Sequence, residues 1–156
     1  MKYFITLLVA LLMTVSSITA FARSAYQTDS EASSNAAKAA FEEILDLWRA
    51  DRYDDLYDRT QHGGKTAKED FARKLGNATF KPACCWQKMQ DVSVHVENDD
   101  IAVVRAKVGL EGDGEIQYKT RTYRMVREGD VWRISQSDLF SLAGAKAKKK
   151  VYKKHR

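Results

Sequence analysis

The chain has 156 residues, 44% of them hydrophobic, with 26 Lys and Arg against 21 Asp and Glu, a net charge of +5 and two cysteines. That size allows one domain to bury a core without disulfide staples. Seven cations, Lys146, Lys148, Lys149, Lys150, Lys153, Lys154 and Arg156, crowd the last eleven residues, and without them and Lys2 the +5 becomes −3. This argues against a nucleic-acid partner, for which basic residues would be spread over one face of the fold with aromatics between them.

Lys2, the apolar run from Phe4 to Val15, and the small-residue ending Ala20-Phe21-Ala22 form the three regions of a signal peptide. The expectation is a signal over 1–22, cleaved after about Ala22, and a periplasmic or secreted protein. The run is shorter than the roughly 18 residues that cross a bilayer, so no membrane span is expected after cleavage. Neither cysteine stands at the cleavage site, so no lipid anchor is expected.

Residues 23–35 are small and polar and read as a flexible linker. From Ala36, Ala37, Phe41, Ile44, Leu45 and Trp48 recur at helical spacing, with Lys38, Glu42, Glu43, Asp46 and Arg49 away from that stripe. A break at Ala50-Asp51-Arg52 precedes a short segment carrying Tyr53, Leu56 and Tyr57, stopped by His62-Gly63-Gly64. Thr66-Ala67-Lys68-Glu69 has the form of a capping box and opens a third helix with Phe71, Ala72 and Leu75. Asn77-Ala78-Thr79 is a glycosylation sequon, meaningful only in a eukaryote.

The period then changes. Met89 to Val96, Ile101 to Leu110, Glu115 to Arg127 and Val131 to Phe140 are strand-like, separated by Asn98-Asp99-Asp100, Glu111-Gly112-Asp113-Gly114 and Glu128-Gly129-Asp130. The expected architecture is α+β, with N-terminal helices packed on a curved four-stranded antiparallel sheet over 36–142, followed by a basic disordered tail over 143–156.

The order of elements, Phe41-x-x-Ile44-x-x-Leu47-Trp48 followed by Arg52-Tyr53-x-x-Leu56-Tyr57, and the ending from Tyr123 to Ile134 resemble the nuclear transport factor 2-like superfamily. The likeness covers about Ala36 to Leu142. It implies a cone whose sheet curls around the first helix and encloses a cavity. It does not imply one activity, because that superfamily holds isomerases, dehydratases and binding domains.

A two-residue Gly129-Asp130 turn sets Glu128 opposite Val131, which would place Tyr123 opposite Gln136 and Arg121 opposite Asp138. The candidate pocket is therefore Trp48, Tyr53, Tyr57 and Trp132 as walls, with Arg121, Tyr123, Gln136 and Asp138 as polar contacts. An Asp138 paired with Arg121 makes a poor general base at neutral pH, so the expected role is binding rather than catalysis. The ligand would be a small apolar molecule or an envelope protein. The alternatives are a pocket enzyme of isomerase or dehydratase type using Asp138, and an envelope-surface module whose tail contacts anionic polymers.

His95 alternates with Val94 and Val96 and is expected in solvent. Ile101 and Val103 lie opposite the face of Ala102 and Val104, which suggests a homodimer through the sheet. Cys84 and Cys85 match no metal or redox spacing. One buried and one exposed or half-buried thiol is the simpler expectation, with a vicinal disulfide or a bridge to a second chain the redox alternatives in an oxidising compartment. No cofactor or metal is expected.

Overall fold

The computed structural model describes residues 18–61, 63 and 66–145. Helices come first: α1 (Ile18–Arg49), α2 (Tyr53–Asp58) and α3 (Lys68–Gly76). They are followed by β1 (Lys81–Pro82), a 3₁₀ turn (Cys85–Gln87), β2 (Met89–Asn98), β3 (Ile101–Gly112), β4 (Glu115–Glu128), β5 (Val131–Arg133) and α4 (Gln136–Leu142). The predicted signal segment up to residue 17 and the tail from 146 lie outside the described residues. None of the described helices is long and apolar enough to cross a membrane.

Helix α1 buries Ala37, Phe41, Ile44, Leu45, Leu47 and Trp48, the stripe that its spacing predicts. It also runs back through 23–35, so that segment is helix rather than flexible linker. Alanines such as Ala25, Ala32 and Ala36, with no Gly or Pro to break the run, let a helix anchored downstream propagate without a new nucleation cost. It ends in a Schellman motif: Arg52 N–H donates to Leu47 O at 3.0 Å and Asp51 N–H to Trp48 O at 3.2 Å, with Asp51 left-handed at φ 58°.

The expected capping box does not form. The N-cap of α3 is Ala67, with no side-chain bond, because the Thr66 N–H is drawn to Gln136 Oε1 at 3.3 Å.

The sheet is antiparallel, curls into a half-barrel, and orders its strands with β3 between β4 and an edge shared by β1 and β2. Asp113-Gly114, both at positive φ, turn β3 into β4 as a tight hairpin. Ala102, Val104, Ala106, Val108, Leu110, Tyr123 and Met125 form the concave face and are buried against α1. Phe41 stacks on Tyr123 with ring centroids 4.6 Å apart, and Phe71 joins Tyr57 at 5.4 Å and Phe140 at 5.5 Å.

The last strand is shorter than expected. Glu128 does pair with Val131, but pairing stops at Val126 with Arg133. Ile134 leaves to bridge Thr60 in parallel, accepting from Gln61 N–H at 3.0 Å. Ser135 then caps α4, its Oγ accepting from Asp138 N–H at 3.1 Å and donating to Asp138 Oδ2 at 2.7 Å. Gln136 and Asp138 are thus helical, and their predicted pairing with Tyr123 and Arg121 does not occur.

Candidate functional site

Helix α4 and the loop between α2 and α3 meet at the open side of the core, and between them lies a groove of about 430 Å³ lined by Gln61, Gly63, Thr66, Ser135, Gln136, Ser137 and Phe140. Gln136, 7% exposed, is the hub. Its Oε1 accepts from Thr66 N–H, and its Nε2 donates to Thr60 Oγ1 at 3.5 Å. The Thr60 hydroxyl donates in turn to Tyr57 O at 2.7 Å, and the Tyr57 hydroxyl to Thr66 O at 3.3 Å. A glutamine amide offers two donors and two acceptor lone pairs; half of that capacity has no partner among the described residues.

The other predicted pocket residues are dispersed. Trp48, Tyr123 and Trp132 sit inside the closed core, so the aromatic walls expected of a cavity fill the space instead. Tyr53 is half-buried at the start of α2, with its hydroxyl on Asp51. Tyr57 lines a smaller groove of about 250 Å³ with Asp58, Thr60, Gln61 and Arg133. Arg121 reaches α4, but at Ser141 Oγ, 2.5 Å away, rather than at Asp138. Of the predicted set, then, only Gln136 lines the larger groove. The partners the sequence reading missed are Gln61, Thr66, Ser135 and Phe140. The signal for them was Ser135-x-x-Asp138, a capping pattern inside an apparent strand.

Among the described residues four buried side-chain polar atoms have no hydrogen-bond partner, Trp48 Nε1, Tyr123 Oη, Arg127 Nε and Arg133 Nε; the two arginine atoms stand beside carboxylates, Asp100 at 3.5 Å and Glu128 at 3.1 Å. Burial holds the Tyr123 phenol well above its ordinary value; the Asp138 charge adds to the rise and the Arg121 charge opposes it. Burial likewise lowers the Lys119 ammonium, helped by Arg121, while its Nζ donates to Leu142 O at 3.2 Å.

Cys84 and Cys85 are joined as a vicinal disulfide and both are exposed, which corrects the expectation of one buried thiol. They do not lie on an extended strand: Cys85 is left-handed at φ 59° and begins the 3₁₀ turn. His95 is exposed on the convex face, and Ile101, Val103 and Val126 lie half-buried on that face near the β2–β3 turn. Comparison with known protein families finds no model that matches the chain, and comparison with curated proteins finds no match.

Proposed function

We propose that the chain is an exported binding domain of the nuclear transport factor 2-like kind, which holds a small molecule in the groove at Gln136. The buried Gln136 amide, with half of its hydrogen-bonding capacity unpartnered among the described residues, carries this reading. A groove of 430 Å³ falls in the range of about 300 to 1,000 Å³ typical of small-molecule sites. The lining sets the Phe140 ring and Gly63 beside the amides of Gln61 and Gln136 and the hydroxyls of Thr66, Ser135 and Ser137. It therefore suits a ligand with an apolar side and a polar edge, a refinement of the small apolar ligand expected from sequence. The Lys2 to Ala22 segment supports export.

Catalysis by Asp138 is the weaker reading, since its carboxylate and backbone N–H are both engaged by Ser135 at the N-cap of α4. Native mass spectrometry of protein recovered from its own compartment tests the binding reading. The expected species begins near Arg23 and carries a molecule of small-ligand mass that a Gln136→Leu variant loses. An empty wild-type protein, or a ligand retained equally by the variant, would sink it.

A further inference from the structure

The edge of the sheet next to β3 passes from one strand to another opposite Gly109. β1 pairs with Glu111 and Leu110, and β2 resumes opposite Val108, so a single residue, Gly109, spans the gap. Its carbonyl accepts from Ala83 N–H at 2.8 Å and its N–H donates to Lys88 O at 3.2 Å. The four residues between Ala83 and Lys88 are thus looped out as a knuckle. A Cβ on Gly109 would lie 2.1 Å from Gln87 O and 3.2 Å from a Tyr118 ring carbon, which places the knuckle and Tyr118 side by side on the convex face. Lys88 pins its base to α1, with Nζ 2.6 Å from Asp46 and 3.3 Å from Glu42.

What the knuckle displays is unusual in kind. Trp86 is 73% exposed and Tyr118 39%, and they are the two exposed large hydrophobic side chains among the described residues. Trp86 directly follows the Cys84–Cys85 disulfide, which ties the first peptide unit of the knuckle into a small ring. Beside them run two cross-strand rows, Gln90–Lys107–Thr120 and Ser93–Arg105–Thr122. These rows hold hydroxyls, an amide and two cations, with neither an aliphatic side chain nor a carboxylate. Lys107 Nζ stands 4.7 Å from the Tyr118 ring centre.

We infer that this surface binds an acidic polysaccharide. Flat aromatic rings exposed to solvent offer an apolar platform to the C–H face of a sugar ring, while hydroxyls and amides beside them meet its hydroxyl rim. A protein partner would be served by aromatic anchors set among apolar neighbours that exclude water; here the aliphatic neighbour beside Tyr118 is Ile116, paired with Glu111, and the rows on the Lys107 side of the platform are polar. The cations select carboxylate-bearing sugars through screened attraction. The site shares no residue with the groove at Gln136 and stands independently of that reading.

The test uses the intact, oxidised chain. Trp48 and Trp132 are buried, so acrylamide quenching of tryptophan fluorescence reports chiefly on Trp86. The probes are a galacturonate hexasaccharide, a neutral glucose hexasaccharide and poly-glutamate of matched charge. The acidic sugar is expected to shield Trp86. The neutral sugar should bind at least about tenfold more weakly, and Trp86→Ala, with its fold checked by circular dichroism and its binding read by isothermal titration calorimetry, which needs no tryptophan reporter, should weaken binding by about tenfold or more. Arg105→Gln with Lys107→Gln should flatten the salt dependence. No shielding by the acidic sugar at millimolar concentration, shielding by poly-glutamate to the same degree, or unchanged binding by Trp86→Ala each overturns the proposal.

Discussion

Replacing Gly109 with alanine tests the architecture at its tightest point. The new methyl carbon would sit 2.1 Å from Gln87 O and 3.1 Å from the Gln87 carbonyl carbon. Both are backbone atoms, so no rotamer change relieves the overlap. The knuckle must lift by about an ångström, and the bonds joining Gly109 to Ala83 and Lys88 are the ones at risk. Overpacking costs about 1 to 3 kcal/mol and a lost backbone hydrogen bond about 1 kcal/mol, so the expected destabilisation is about 2 to 4 kcal/mol. At about 3 °C per kcal/mol for a chain of this size, Tm falls by about 6 to 12 °C. Gly76→Ala is the control: its Cβ meets only Tyr53 at an ordinary 3.6 Å, and alanine at this helical position is neutral or favourable by up to about 1 kcal/mol. Calorimetry reads both variants, and acrylamide quenching shows whether the knuckle has moved. A Gly109→Ala protein that melts within about 2 °C of the parent with Trp86 quenched as before would refute the placement of the knuckle.

Tyr123→Phe removes a buried hydroxyl without a partner and is expected to raise stability at pH 7 by about 1 kcal/mol in urea titrations. Because the folded-state value of that phenol is raised, its contribution is fully present below the unfolded value near 10 and is lost as pH rises above it. The variant should therefore show a shallower loss of stability from pH 10 upward. Asp51 behaves oppositely: Lys81 first, and then Tyr53, hold its carboxyl low. Its contribution is present above about pH 4 and is lost as pH falls through the folded value, so Asp51→Asn should flatten the acid limb slightly. Ser135→Ala should cost about 1 kcal/mol through the lost cap of α4, whereas Thr66→Ala, which removes no cap, should stay within about 0.5 kcal/mol by chemical denaturation.

The parts of the fold that were legible are those whose period and turn chemistry agree. The Ala37 to Trp48 stripe, the alternation through β2, β3 and β4, and the Gly129-Asp130 turn all announce their partners locally. In the 23–35 segment polar composition points to a loose linker while the alanines favour helix, and the helix prevails. At Val131 to Phe140 two patterns compete over the same residues, alternation up to Ile134 and a Ser135-x-x-Asp138 cap beyond it. The cap won, because it satisfies a backbone donor that a continued strand would have left to β4. That one choice moved Gln136 from a sheet face into the groove and separated Asp138 from Arg121. The knuckle was illegible for another reason: Gly109 matters only once it is known to lie beneath Gln87, a contact 22 positions away in the chain, and no local pattern reports it.

The interruption at Gly109 has a bearing on how the protein behaves in crowded solution. A long, straight outer strand would invite a neighbouring molecule to add its own strand. Here that margin is broken by the knuckle and by register shifts after Gln90 and Val96, and it carries Asp91 and Glu97. The opposite margin is β5, three residues long before the chain turns away to meet Thr60, and then the stretch of β4 before Val126, which α4 flanks through Lys119 on Leu142 O and Arg121 on Ser141 Oγ. Neither border offers a template for fibre-like stacking, so the sheet can keep its convex surface open to solvent at high concentration without polymerising through its rims.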